Sequence, residues 1–252
     1  MDKNLIKGHD YEKIKNKLVS WLQKNAKNAG LKGAVVGLSG GIDSAVTARL
    51  AQLAFGENLL TVIMPCHSSV RDREDALKIA GEFKMKVVEN DLTEVYDHLL
   101  DNLKSTGVNG GKLAEANIKP RLRMTTLYYY AQAKNYFVVG TDNWSELKIG
   151  YFTKHGDGGI DLAPLGSLVK HEVKELARVL DIPVEIIEKN PSAGLWDGQT
   201  DESEMGFSYE ELDQYILSGK AEPEVKTKIE SLASQNSHKI APVPIPKRNE
   251  IL

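Results

Sequence analysis

Cysteine is nearly missing from this chain, with Cys66 the single one. Intrachain disulfides are therefore impossible, and a zinc site built on thiolates has too few ligands. Long apolar runs are missing too. Nowhere do the roughly 18 consecutive apolar residues of a membrane span occur, and the charged stretch from Met1 to Lys17 has no signal-peptide core. These absences predict a soluble, cytoplasmic protein with no membrane partner. Charge of one sign is scarce as well: 32 Lys and Arg against 35 Asp and Glu leave a formal net charge of -3, which offers no basic field to a nucleic acid. Internal repeats and low-complexity segments are also missing. What remains, 252 residues at 41% hydrophobic composition, suffices for a sizeable core and is expected to form a single domain over 1-252.

The chain is organised around Gly33 to Ser44. Val35, Val36 and Leu38 among small residues predict a strand buried on both faces of a parallel sheet. From Ile42 a helical pattern resumes, so Ser39-Gly40-Gly41 falls at a strand-to-helix junction, where unpaired amides and the positive helix end favour an anion. The two glycines are expected to take positive φ and let a ligand approach, and Ser39 and Ser44 to add hydroxyl donors. A carboxylate at Asp43 would repel phosphates unless a divalent cation lay between them. Asp43 is therefore read as a magnesium ligand, the plainer alternative being a first-turn acid that favours the helix dipole. No lysine follows Gly41, which excludes the P-loop of kinases and GTPases.

Ser39-Gly-Gly-Ile-Asp-Ser44 instead resembles the SGGxDS signature of the PP-loop ATP pyrophosphatases. That resemblance implies cleavage of ATP between its α and β phosphates and transfer of AMP to an oxygen acceptor. Further strands are expected at 59–64, 85–89 and 136–139. Helices are expected at 10–26, 42–55, 72–83, 91–104, 117–134, 171–180, 209–217 and 223–234, with a short one through Glu188. Alternation of this kind predicts an α/β fold, a Rossmann-like parallel sheet with helices on both faces, adenine nucleotide alpha hydrolase-like. Gly107 to Gly111 reads as a flexible surface break, and Pro242, Pro244 and Pro246 as an extended end that excludes helix. Cys66-His67 could suggest a nucleophile and base, but adjacent residues rarely face each other and no orienting third group is evident.

Gly140-Thr-Asp-Asn-Trp-Ser-Glu146, the glycine-rich stretch Gly150 to Asp161, Lys119 to Met124 and Pro191 to Leu195 together resemble the bacterial NAD synthetases over nearly the whole chain. The resemblance implies amidation of nicotinate adenine dinucleotide (deamido-NAD) by ammonia through an adenylated carboxylate, the final step of NAD biosynthesis. It assigns Gly37, Leu38, Ser39, Gly40, Gly41, Ile42, Asp43, Ser44, Thr141, Lys170 and Ser192 to ATP. Arg121, Lys154, Asp161, His238 and Lys239 fall to deamido-NAD, the last two across a homodimer boundary. Asp43 and Glu146 fall to Mg2+, the expected cofactor. Lys170 and Asp157 are the candidate catalytic groups, Lys170 on phosphate oxygens and Asp157 on ammonium or its proton. Gly150 to Asp161 is expected to be a mobile lid. Ser192 stands where the family commonly has threonine, and Pro120 where it commonly has alanine. No length remains for an amidase (glutaminase) domain, so free ammonia is the implied nitrogen source. The amphipathic first helix and Tyr128 to Tyr130 are the expected dimer surface. Another PP-loop ligase, a tRNA-modifying enzyme, or a nucleotide-binding module without chemistry are the competing readings.

Overall fold

In the computed structural model, residues 8–192, 194 and 200–251 are described. Four parallel strands form the sheet: β1 (Gly33–Gly37), β2 (Leu59–Ile63), β3 (Val87–Glu89) and β4 (Tyr136–Val138), in the order β3-β2-β1-β4. The register pairs Ala34 with Leu59 and Phe137, and Val62 with Val88. Beyond β4, Val139 bridges Leu162 in parallel. As expected of a central parallel strand, every β2 residue is buried, as are the first four of β1.

Alternate strand residues feed two cores. Ala34, Val36 and Ile63 pack among α1 (Tyr11–Ala29), α2 (Ile42–Phe55), α3 (Val70–Glu82) and α8 (Lys170–Val179). Val35, Leu60 and Val62 face Tyr96 and Ala131 of α4 (Thr93–Ser105) and α6 (Ile118–Lys134). Helices on both faces follow from the topology, because parallel strands need crossovers and each crossover returns over one face. A third cluster, around Ile149, Met205, Tyr209, Leu212 and Ile229, joins α7 (Trp144–Ile149), α10 (Asp201–Met205), α11 (Tyr209–Ser218) and α12 (Pro223–Gln235) beside the sheet.

Local chemistry sets several boundaries away from the expected ones. Asp10 caps α1 through Lys13 N, and Gly30 at φ 68 ends it. Ser69 caps α3, whose start at Val70 lies two residues before the expected one. Met85 belongs to the core rather than to β3, since Lys84 at φ 50 still turns the chain. Past the Gly107 turn, residues Gly111–Ala116 form α5, which the glycines concealed. Pro120 is the third residue of α6, inside the first turn that tolerates it. A short α9 (Val184–Ile187) follows α8, and Ser237–Ile240 forms α13 just before the proline-rich end. Residues 241–247 form neither helix nor strand, but Arg248–Ile251 forms one helical turn, α14, once the prolines are passed.

Candidate functional site

β1 stops at Gly37 and α2 starts at Ile42, so Leu38 to Gly41 loops over the carboxyl end of the central strand. There, open α/β sheets collect ligands. Gly40 has φ +82, and a Cβ on it would lie 2.3 Å from the Asp72 carbonyl oxygen, so both torsion and space require glycine. Gly41 differs from expectation. It has φ −95, an ordinary extended N-cap, and a Cβ there would meet only Ser39 Oγ at 3.5 Å. The serine hydroxyls are engaged within the loop: Ser44 Oγ donates to Gly41 O (2.9 Å) and accepts from Ser39 N (3.2 Å), and Ser39 Oγ accepts from Gly41 N (3.3 Å). They fix the loop's shape rather than stand free as donors.

Three elements deliver charged groups beneath this loop. Asp43 lies in the first turn of α2. Glu146 lies in the first turn of α7, where Asn143 and Glu146 form a reciprocal capping box. The Asn143 side chain also donates to Asp43 Oδ1 (3.0 Å). Lys170, 3% exposed, opens α8 and donates to Asp43 Oδ2 (2.5 Å) and Glu146 Oε1 (3.3 Å). Tyr209 Oη lies 3.2 Å from Glu146 Oε1 and 2.9 Å from Asp201 Oδ2. Burial pushes the Glu146 carboxyl up to about 7 against the pull of Lys170, and Asp43 adds to the rise. Burial disfavours the Lys170 ammonium, but Asp43 and Glu146 outweigh it and raise its value above the ordinary lysine range. One buried cation thus serves two partly buried carboxylates.

A magnesium ion fits this chemistry. Among the described residues no three His, Cys, Asp or Glu side chains converge as a complete ligand set. Two oxygen-donating carboxylates without soft donors are what Mg2+ accepts when phosphate oxygens and water supply the rest.

The opposite wall is the segment 150–161. It is folded onto the site: Thr153 N donates to Asp157 Oδ1 (2.9 Å), and Gly156 N and Gly158 N both donate to Thr153 O. Burial pushes the Asp157 carboxyl up, opposed by the Thr153 amide and Arg123. Arg121 Nε donates to Lys154 O (3.4 Å), and Lys154 Nζ to His238 O (2.6 Å). Lys239 Nζ donates to Gly150 O (2.8 Å) and Phe152 O (3.0 Å). His238 and Lys239 therefore meet this chain's own wall, because α13 carries them back to it.

One cavity of about 850 Å³ gathers these groups. Of the residues expected at the site, Gly37, Leu38, Ser39, Gly41, Ile42, Asp43, Ser44, Thr141, Glu146, Asp157, Lys170 and Ser192 line it, as do Arg121, Lys154, His238 and Lys239. Gly40 and Asp161 are not in its wall. Asp161 is used otherwise, accepting from Val138 N (2.8 Å) and Tyr128 Oη (2.9 Å). Cys66 is buried with Sγ 3.8 Å from Leu92 O, and His67 pairs with Asp97 at 2.7 Å, so the two adjacent residues do not face each other.

Sequence reasoning missed Asp142, Asn143, Asp201, Tyr209 and Asp213. Asn143 was readable, since Asn-x-x-Glu is a capping-box pattern. Asp142 lies within the Gly140 to Glu146 block, whereas Tyr209 and Asp213 had no local signal. Asp213 lies 68 residues from Ser145, whose hydroxyl it accepts at 2.5 Å, and it also accepts from His171 N (2.9 Å), fixing the start of α8.

The chain is similar to known proteins over most of its length. A family model described as NAD synthase matches residues 14–243. The NH(3)-dependent NAD(+) synthetase of Carboxydothermus hydrogenoformans is 51% identical, covering 91% of this chain and 95% of its own. Among solved structures, NMN synthetase from Francisella tularensis superposes with a TM-score of 0.90 at 37% identity, covering 95% of this chain and 99% of that one. The NH3-dependent NAD synthetase from Campylobacter jejuni does so with a TM-score of 0.79 at 30% identity, covering 95% and 100%.

Proposed function

The chain belongs to the NAD synthase family, and on that premise we propose that it amidates deamido-NAD with ammonia at the expense of ATP, giving NAD, AMP and pyrophosphate. The observation that carries this reading is the meeting of Asp43, Glu146 and Lys170 beneath a glycine loop at the carboxyl end of the central strand.

A carboxylate resists amines because its charge is delocalised and oxide is a poor leaving group. In the proposed reaction a carboxylate oxygen of the nicotinate attacks the α-phosphorus of ATP, the bond to the bridging oxygen breaks, and pyrophosphate leaves. Ammonia then attacks the acyl carbon. AMP departs with the former carboxylate oxygen, and the nitrogen loses a proton to become the amide. Asp43 and Glu146 would hold Mg2+, which supplies charge compensation for the pyrophosphate. Lys170 binds phosphate oxygens beside the amino end of α2, whose dipole favours them. Thr141 and Ser192 line the nucleotide side, and Arg121, Lys154, His238 and Lys239 bind the dinucleotide. Asp157 faces the incoming nitrogen. Catalysis is thus positioning and electrostatics, with no protein nucleophile.

The likeness to NMN synthetase favours a second reading, in which the acceptor is nicotinate mononucleotide. Both are tested by following pyrophosphate and amide product from Mg2+ and ATP with either acid, with and without ammonium. Ammonium-dependent NAD formed one-for-one with pyrophosphate supports the first, and preferential NMN formation the second. ATP binding without an amide product from either acid rejects both.

We read these residues as one domain, working in the cytoplasm as a homodimer. No described helix is long and apolar enough to cross a membrane. The dimer surface assigned is α4, where Val95, Leu99 and Leu103 recur every fourth residue and stay 53, 37 and 46% exposed, with Val108 and Leu113 nearby in sequence. The first helix and the tyrosine-rich helix stay beside it as expected surfaces, with Trp21 and Tyr129 also exposed. Leu99→Asp with Leu103→Asp should give a monomer by sedimentation, and an unchanged dimer places the contact elsewhere.

A further inference from the structure

Arg123 has no place in the reaction as derived so far, although it lies in the cavity wall. It stands on α6, two residues beyond Arg121, and reaches the carboxyl end of β2. Nε donates to Met64 O (3.2 Å) and Nη2 to Ser68 Oγ (3.2 Å), and Ser68 Oγ also accepts from Cys66 N (3.2 Å). Met64 in turn lies against the strand that carries the phosphate loop, since a Cβ on Gly37 would come within 3.3 Å of Met64 Cε. The guanidinium is thereby held beside the ends of β1 and β2, where an open α/β sheet collects its ligand.

Both acceptors are neutral, which sets Arg123 apart from its neighbours. Lys170 is paired with Asp43 and Glu146, Lys189 with Asp72 (2.8 Å) and Asp75 (2.5 Å), and Arg73 with Glu89. Arg121, Lys154 and Lys239 fall to the dinucleotide in the reading above. Among the described residues no carboxylate accepts a bond from Arg123. Burial pulls its value below the ordinary arginine range, and Cys66, Asp157 and Asp72 oppose this without touching it. A guanidinium has five N–H bonds; two are spent on Met64 and Ser68, so three have no acceptor among the described residues. The side chain is half-buried and lines the cavity, and Nη1 is not one of the sealed, unpartnered atoms. A ligand can therefore reach this free edge. A charge kept this deep without a counter-ion is costly unless one arrives with the ligand.

We propose that Arg123 is a further substrate-binding residue, whose free N–H edge takes a phosphate oxyanion of a bound nucleotide. This rests on the amidation proposed above for the identity of the nucleotides and adds a residue to it. Phosphate suits the edge because a planar guanidinium offers parallel N–H bonds to two oxygens, which a point-like ammonium does not. The bonds to Met64 O and Ser68 Oγ fix the plane beforehand, so little side-chain freedom is lost when the anion binds. Two substrates carry this chemistry: ATP in its triphosphate, and deamido-NAD in the pyrophosphate that joins its halves.

The test is calorimetric titration of wild type and Arg123→Met with ATP and Mg2+, with deamido-NAD, and with NAD, which keeps the pyrophosphate of deamido-NAD but lacks its carboxylate. Loss of charge-assisted bonds should weaken one nucleotide class roughly ten-fold or more and leave the other within about two-fold. A loss confined to ATP places the triphosphate on Arg123, and an equal loss for deamido-NAD and NAD places the dinucleotide's pyrophosphate there. Arg123→Lys, which keeps the charge without the fork, should recover part of the affinity, and it carries the same comparison if Arg123→Met folds poorly. Unchanged affinities overturn the proposal. So does a parallel loss for all three ligands with a lowered melting temperature, which is what a purely structural arginine would give. A loss for deamido-NAD with NAD unaffected overturns it too, by putting the nicotinate carboxylate on Arg123. Binding needs no turnover, so a wild type that binds these nucleotides but makes no amide overturns the proposed function and leaves Arg123 to be judged by the titrations.

Discussion

Lys170 Nζ stands 2.5 Å from Asp43 Oδ2, although 127 positions separate the two residues. The ammonium holds the phosphate loop's helix and α8 at one point. It also keeps Asp43 and Glu146 from facing each other uncompensated.

Removing that ammonium should therefore cost more than catalysis. Lys170→Met leaves two partly buried carboxylates without their counter-ion, a change that costs about 3–5 kcal/mol of stability where such a pair is fully buried and less here. Thermal unfolding should show a fall of many degrees, partly recovered by excess Mg2+ if the two carboxylates take the ion. A melting temperature equal to that of the wild type would mean that Lys170 does not hold this corner together.

The two loop glycines should behave differently. Gly40→Ala forces a left-handed torsion on a residue with a Cβ and drives that atom against Asp72 O, so it should destabilise the fold by about 1–3 kcal/mol. Gly41→Ala meets only ordinary contact within the protein. It should fold normally and lose ATP affinity, as titration calorimetry would register. Equal melting losses in both variants would refute the distinction.

Cys66 is expected to be chemically silent. Burial pushes its thiol up, which lowers the thiolate fraction, and its contact is Leu92 O rather than a base. Cys66→Ala should retain turnover within about two-fold while losing roughly 1 kcal/mol for the small cavity left behind. Loss of all turnover in a folded Cys66→Ala protein would restore the nucleophile reading.

Asp213 offers a test by pH. Burial pushes its carboxyl up against the opposing bonds from Ser145 Oγ and His171 N. A carboxyl whose folded value lies above its unfolded one, about 3.9 for aspartate, favours folding when neutral. That contribution is complete below the unfolded value and is lost as pH rises through the folded value. Asp213→Asn cannot titrate, so its stability relative to wild type should improve as pH climbs from about 4 towards neutrality. Parallel denaturation curves across that window would remove Asp213 from the account. Because Asp213 fixes the start of α8, the same variant should raise the KM for ATP through a displaced Lys170.

Much of this protein was determined by the sequence itself. Apolar β-branched runs at 33–37 and 59–63 required buried parallel strands, and the break at Ser39-Gly40-Gly41 placed an anion site at one junction, because those signals lie within a few residues of each other. The blocks around Asp43, Glu146 and Lys170 marked the site for the same reason. Only tertiary structure decided the rest. Gly40 and Gly41 look alike in sequence and differ because Asp72 of α3 presses on one of them. Asp161 belongs to a family motif, yet its carboxylate is taken by Val138 and Tyr128 across the sheet edge. Asp142 reads as an ordinary polar loop residue until the folded chain surrounds it with other carboxylates and provides Oδ2 no donor. Motifs record which groups are present. Burial and the charges that distant segments bring together set what each group can do.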